Sequence, residues 1–224
     1  MQAQHLLKPL AQAIAIATLA GSALAAPVIY NESAGGTGDL MGTAEAAGDA
    51  SGGLTINGNL LDGRGGFAPN LVDLFSFTVT AAGHYLINSF GSDIADPSLF
   101  LFDGSGNGIF WNNDASLAPV DTQSAFGTDL AIGSYFIALS WFGMDAEDGS
   151  GPIFDTAFSN EGGALPGTGA LANWADYSGQ DLWDRTAYNI NISMRVPEPG
   201  ALALSLAALG LMAGAMRRRQ SVAA

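Results

Sequence analysis

The chain has 224 residues, 21 acidic against 7 basic side chains, a net charge of −14, 30 glycines and no cysteine. An acidic balance of this size repels nucleic acid and anionic lipid, which excludes a nucleic-acid partner, and it favours solubility and divalent cations. The absence of cysteine excludes thiol chemistry, cysteine-based zinc sites and a disulfide scaffold.

At the N-terminus, Lys8, the apolar run Leu10 to Leu19 and Ala23-Leu24-Ala25 follow the order of a secretory signal peptide. Ala23 and Ala25 satisfy the small-x-small rule, so cleavage after Ala25 is expected to leave a chain beginning Ala26-Pro27. Without the two ends, roughly 170 residues remain, the size of one domain with a real core. This body carries 20 acids against Arg64, Arg185 and Arg195, a net charge of −17.

Residues 26–53 read as a Gly/Ala-rich, loosely packed lead-in with one short helical turn around Ala44 to Ala47. Leu54, Ile56 and Leu60 suggest a first strand, broken by the turn pair Asn57-Gly58, and Asp62 to Asn70 a loop. Phe75, Phe77 and Val79 then alternate with Ser76, Thr78 and Thr80, the period-two pattern of a half-buried strand. Ala82-Gly83 reads as a tight turn before a strand containing Tyr85 and Ile87. Ser98 to Phe102 is apolar on both faces and reads as a central strand, returning after a turn through Ile109-Phe110-Trp111. A polar loop leads to Gly133 and the strand Tyr135 to Phe142. The clearest strand is the last, with Tyr188, Ile190, Ile192 and Met194 on one face and Asn189, Asn191, Ser193 and Arg195 on the other.

Between Gly143 and Arg185 lies a Gly- and Asp-rich insert carrying Trp174, Tyr177 and Trp183. So long a connection is functional or disordered, and its aromatics favour partial order across one sheet. Short strands with Gly-rich turns give the expected fold class: all-β, an antiparallel β-sandwich of jelly-roll type over residues 54–195, with the insert at 143–185.

The stretches DLFSFTVTAAGHYLI, DPSLFLFDGSGNGIFWNND and LAIGSYFIALSWF resemble the bacterial pre-peptidase C-terminal domain. That family's pattern runs D-x-F-x-F-x-V with A-G-x-Y, then L-x-L-F-D-x-x-G with N-D-D, then L-x-x-G-x-Y. The resemblance covers about residues 54 to 142 and departs from the pattern at Asn113-Asp114 and in the long insert. It implies a non-catalytic β-sandwich, of a kind that in some relatives binds calcium or extracellular polymers.

Asp103, Ser105, Asn107 and Gly108, with Asp114 eleven residues after Asp103, fit the spacing of a calcium loop. With two carboxylates the affinity expected is weak, of the order of 10⁻⁴–10⁻³ M. The same residue types build hairpin turns, so turn and calcium site stay open alternatives. Asp145, Glu147, Asp148 and Asp155 form a second acidic cluster, read as a solvated loop with a metal site as the alternative. Catalytic material is sparse: beyond the signal, His84 is the one histidine, and neither a G-x-S-x-G elbow nor a P-loop occurs. Trp174 and Trp183 are candidates for stacking on sugar rings, against the alternative of covering a sheet.

The tail runs Val196-Pro197-Glu198-Pro199, then seventeen uncharged residues from Gly200 to Met216, then Arg217, Arg218 and Arg219. As a helix, residues 200–216 would span roughly 25 Å, the lower limit for crossing a bilayer. Its five leucines favour insertion by only about 1.5–3 kcal/mol together, which suits a transient anchor, with the arginines left on the cytoplasmic side. Motif, span and basic stop together resemble the PEP-CTERM sorting signal of Gram-negative bacteria. That resemblance implies processing near the motif by an exosortase-type membrane enzyme, transient contact with the inner membrane, and release to the cell surface or exterior. The expectation for the whole chain is an exported, non-enzymatic surface or matrix protein associated with exopolysaccharide or biofilm. The alternative is a calcium-assisted module that binds carbohydrate or another polymer.

Overall fold

The computed structural model describes residues 26–34, 36–60, 71–115, 122–157, 159–176 and 187–195. The expected signal peptide, the expected sorting tail with its apolar span, Tyr177 and Trp183 lie outside them. The described residues contain strands and no helix. In chain order these are β1 (Val28–Asn31), β2 (Glu45–Asp49), β3 (Leu54–Asn59), β4 (Val72–Val79), β5 (Gly83–Asn88), β6 (Pro97–Asp103) and β7 (Gly108–Asn112). There follow β8 (Ala125–Leu130), β9 (Gly133–Trp141), β10 (Met144–Glu147), β11 (Glu161–Gly163), β12 (Asn173–Asp176) and β13 (Ala187–Met194).

Two sheets form a sandwich: a five-stranded one in the order β1-β3-β13-β5-β8 and a six-stranded one in the order β11-β7-β6-β9-β4-β2. Without β1, β2, β11 and the separate β10-β12 pair, eight strands remain. Numbered one to eight along the chain, they lie in the orders 1-8-3-6 and 5-4-7-2. This is the jelly-roll arrangement of two interlocked Greek keys. Within it only β6 and β7 are consecutive neighbours in one sheet. The turn at Thr80 to Ala82 is therefore an arch carrying the chain from one sheet to the other, not a hairpin.

The inward faces follow the alternation of the sequence. Phe75, Phe77, Leu99, Leu101, Ile137 and Leu139 of the six-stranded sheet meet Leu54, Ile56, Tyr85, Ile87, Ile190 and Ile192 of the other. Each such side chain, fully buried, stabilises the fold by about 1.5–3 kcal/mol before entropy is counted.

Four sequence expectations change. Glu45 to Asp49 is an edge strand pairing in parallel with β4, where a helical turn at Ala44 to Ala47 was expected. Its Ala-rich sequence has helical propensity, but tertiary pairing overrides it. The lead-in is likewise ordered, because β1 pairs in parallel with β3; the sandwich is thus antiparallel except at these two edges. Strand β3 continues through Asn57-Gly58, which a turn was expected to break. Gly58 is needed there because a Cβ would lie 2.1 Å from the Tyr188 hydroxyl oxygen. Finally, the polar loop before Gly133 contains β8, which pairs with β5 along its full length. Only Phe126 and Leu130 mark it as apolar, and both point inward.

The insert is substantially built. Met144, Ala146, Ile153, Phe154 and Leu171 pack on the outward face of the six-stranded sheet, against Val72, Leu74, Phe100, Phe102, Trp111 and Ala138. That sheet is buried on both faces, which explains why every residue from Pro97 to Phe102 is buried.

Candidate functional site

The last strand ends next to the expected sorting tail. On the two sides of β3, Val28 and Ile192 both pair with Leu54. The first strand therefore starts where the last one ends, two strand spacings or about 10 Å away. Both ends of the domain leave from one pole. The backbone N–H of Arg195 donates to the His84 carbonyl at 2.7 Å, so the ladder holds the chain up to the residue before Val196. The sequence motif at Val196 to Pro199, its stop at Arg217 to Arg219 and the expected signal-cleavage residues Ala23 and Ala25 lie outside the described residues.

The expected calcium set does not assemble. Asp103 Oδ1 accepts N–H bonds from Ser105 (2.8 Å) and Asn107 (3.0 Å), while Oδ2 accepts from Asn107 Nδ2 at 2.9 Å. Gly106, at φ +85°, closes the turn with an N–H bond to the Asp103 carbonyl. Burial pulls the Asp103 carboxyl upward, but the bonds from Asn107, Ser105 and Gly106 outweigh it and hold the pKa below its ordinary value. The carboxylate is met by donors, where a cation requires oxygens. Asp114 sits beyond the other end of the hairpin, because Leu99 pairs with Asn112 and Phe102 with Gly108. Along the strands that is about 20 Å from Asp103. There Asp114 Oδ2 accepts from Asn160 Nδ2 at 2.7 Å.

Acids of the insert are also spent locally. Asp148 accepts N–H bonds from Ser150 and Gly151 at Oδ1 and from Gly169 at Oδ2. Led by the Gly169 N–H, these bonds lower its pKa to about 2. Glu147 Oε2 accepts from Asn173 Nδ2 at 3.3 Å. Burial raises Asp145 against a hydrogen bond from Thr156. Among the described residues no three His, Asp or Glu side chains converge as a metal site would require.

The sandwich interior holds a polar knot. Asp73 is fully buried and accepts the Tyr188 hydroxyl at 2.8 Å. Glu32 lies 3.4 Å from the same hydroxyl and also accepts the N–H groups of Thr37 and Asn59. Burial, then the charges of Asp73 and Glu32, push the Tyr188 hydroxyl well above its ordinary pKa. Asp96, beside the end of β9, is raised to about 6 by burial and by the charge of Asp114.

Trp174 is half-buried, its ring edge-on to Phe100 (5.2 Å) and Phe102 (6.3 Å) and its Nε1 donating to the Asp39 carbonyl at 2.7 Å. Of the two candidate stacking residues, this one covers a sheet. His84 Nδ1 lies 2.9 Å from Asp129 Oδ1 as a cross-strand pair on β5 and β8.

The outward face of the five-stranded sheet carries a pattern that single-strand reading divides among separate segments. Asn31, Asn57 and Asn189 occupy one row across β1, β3 and β13. Ile29, Thr55, Asn191 and Asn88 occupy the next, extending to β5. Asn57 Nδ2 donates to Asn31 Oδ1 (2.9 Å), Thr55 Oγ1 to Asn191 Oδ1 (3.1 Å), and Asn191 Nδ2 to Asn88 Oδ1 (3.2 Å). The signal lay in the non-apolar half of each alternation, in Thr55/Asn57 and in Asn189/Asn191.

Residues 195–220 match the PEP-CTERM protein-sorting motif. A motif of this kind marks a chain for export and for handling by an exosortase-type enzyme. No curated protein matches the chain. Among solved structures, the pre-peptidase C-terminal domain of a collagenase from Bacillus anthracis is similar at 13% identity, covering 68% of this chain and 94% of that one, with a TM-score of 0.33.

Proposed function

We propose that this is an exported, non-enzymatic protein of the cell surface or extracellular matrix, processed at its tail and associated with exopolysaccharide. The observation that carries the reading is the sorting motif at 195–220, placed directly after the last strand of a complete sandwich. Export across the inner membrane would present the domain outside, and removal of the tail would free it. The non-enzymatic part is supported by how the polar groups are used: Asp103 and Asp148 close their own turns, and Asp73 anchors Tyr188. A net charge of −14 adds solubility in an aqueous exterior.

The test replaces Pro197-Glu198-Pro199 with alanines and follows size and location by cell fractionation. The expected result is an unprocessed chain retained with the membrane. An unchanged size and an unchanged location would sink the reading.

A further inference from the structure

The six-stranded sheet is roofed by the insert, whereas the outward face of the five-stranded sheet has no layer above it among the described residues. On a body this acidic, that face is nearly free of charge. Of the acids in β1, β3, β13, β5 and β8, Asp129 is the only one, and it is paired with His84. In place of charge the face presents carboxamides and hydroxyls in two rows. The hydrogen bonds linking Asn31 to Asn57, and Thr55 through Asn191 to Asn88, fix these side chains in advance of any ligand.

We propose that this face binds an uncharged, hydroxyl-rich polysaccharide lying across the strands, a placement that rests on the exopolysaccharide reading above. A carboxamide offers both donors and acceptors, which is the complement of a sugar hydroxyl, itself donor and acceptor. Asn57 Nδ2 uses one of its two N–H groups on Asn31 among the described residues, which leaves a donor for a ligand, whereas Asn191 is held in place by bonds to Asn88 Oδ1 and the Phe90 carbonyl. Strand spacing of about 4.8 Å sets Asn31, Asn57 and Asn189 at regular intervals across β1, β3 and β13, and Asn191 beside Asn88 across β13 and β5, matched to a polymer with a regular repeat. The apolar C–H faces of sugar rings have partners as well. Ile29 is 66% exposed, Leu86 41% and Phe90 44%. Leu86, Asn88 and Phe90 line a cleft of about 340 Å³ with Ala125 and Gly127 of β8, at the end of the second row, and Glu161 is the one acid in its lining. A polyanion is disfavoured by the net charge of −14, so the ligand class is neutral.

The experiment is affinity electrophoresis of the full chain in non-ionic detergent, in native gels containing hydroxyethylcellulose or alginate. Retardation is expected in hydroxyethylcellulose and not in alginate. Asn57→Ala with Asn191→Ala is expected to weaken it at least tenfold, and so is the isosteric Asn191→Asp, which keeps the shape while removing donors and adding charge. Thermal melts within a few degrees of the parent chain separate lost binding from lost folding. Trp174→Ala, on the opposite sheet, is expected to leave retardation unchanged. Retardation that survives the asparagine variants but disappears with Trp174→Ala overturns the assignment of this face and leaves the exopolysaccharide reading standing. No retardation by hydroxyethylcellulose, stronger retardation by alginate, or a parent dimer that the asparagine variants convert to monomer overturns the neutral-polysaccharide proposal. The sorting reading is judged separately by fractionation of the Pro197-Glu198-Pro199 variant.

Discussion

The two sheets of this sandwich share a core but have opposite outer faces. Phe100, Phe102 and Trp111 point outward from the six-stranded sheet and are roofed by Ile153, Phe154 and Leu171. Asn57, Asn189 and Asn191 point outward from the five-stranded sheet and carry no roof of that kind among the described residues. Both sheets use the same alternating backbone geometry, so the difference lies in the chemistry of every second residue. An apolar outward face must be covered, and here Met144, Ala146, Ile153, Phe154 and Leu171 of the insert cover it. An amide-bearing outward face is satisfied by its own hydrogen bonds and by water.

The strongest way to break this contrast is to remove the pivot of the roof. Phe100 touches Trp111 at 5.9 Å, Phe154 at 5.7 Å and Trp174 at 5.2 Å between ring centroids. Phe100→Ala is expected to cost about 3–5 kcal/mol and to open residues 144–176 to protease before the rest of the chain. Chemical denaturation and limited proteolysis read the two effects. A cost below about 1 kcal/mol, with the insert still protected, would mean that the roof stands without the sheet.

A smaller effect tests what holds the two sheets to each other. Tyr188 reaches from β13 to the buried Asp73 of β4 at 2.8 Å. Tyr188→Phe removes a donor to a buried carboxyl group and is expected to cost about 1.5–3 kcal/mol, read as a lower denaturation midpoint with an unchanged slope. If the midpoint does not move, Asp73 is held by its other partners and the knot does not join the sheets.

Much of this architecture was legible in the sequence. The alternation at Phe75/Phe77/Val79 and at Tyr188/Ile190/Ile192 located two core strands, and the unbroken apolar run at Ser98 to Phe102 announced a strand buried on both faces. Less legible were the parallel edges. In β1 and β2 the pattern is weak because an edge strand buries little: Val28 and Ile29 stay 45% and 66% exposed. Strand β8 was hidden because its outward residues, Gly127 and Asp129, read as turn chemistry. For the candidate site, the tail was readable because it is local, a motif followed by a span and a stop. The calcium set failed because sequence spacing is not spatial distance: a hairpin sends Asp103 and Asp114 to opposite ends. The amide face was invisible for the reverse reason, since its rows join residues from 31 to 191 that only sheet register brings together.

The pH dependence of stability sharpens the comparison at the end of the six-stranded sheet. Asp96 is raised from 3.8 to about 6 by burial and the nearby Asp114 charge, and its Oδ1 is buried without a hydrogen-bond partner among the described residues. A carboxyl with a raised folded-state pKa favours the fold while protonated. Its contribution is full below about pH 4 and is lost as pH rises through about 6. Asp96→Asn is therefore expected to raise the melting temperature at pH 7 by roughly 2–4 °C, allowing for partial solvent screening. At pH 4 the gain should vanish. A gain of equal size at both pH values would assign the effect to packing and not to charge.

The smallest stability change is expected on the bare face. Asn57 and Asn191 hydrogen-bond to neighbours at 2.9–3.2 Å but stand outside the core, half-exposed. Asn57→Ala and Asn191→Ala are each expected to shift stability by no more than about 0.5–1 kcal/mol, an effect offset in part by the poor strand propensity of the asparagine removed. Thermal melts of the single and double variants, read beside Phe100→Ala, give the ratio between the two faces. A several-fold ratio fits a roofed face that is structural and a bare one held in reserve for contact with something else. If the asparagine variants instead cost as much as Phe100→Ala, the amide rows are part of what holds the five-stranded sheet together, and their side chains are not free to be exchanged for ligand.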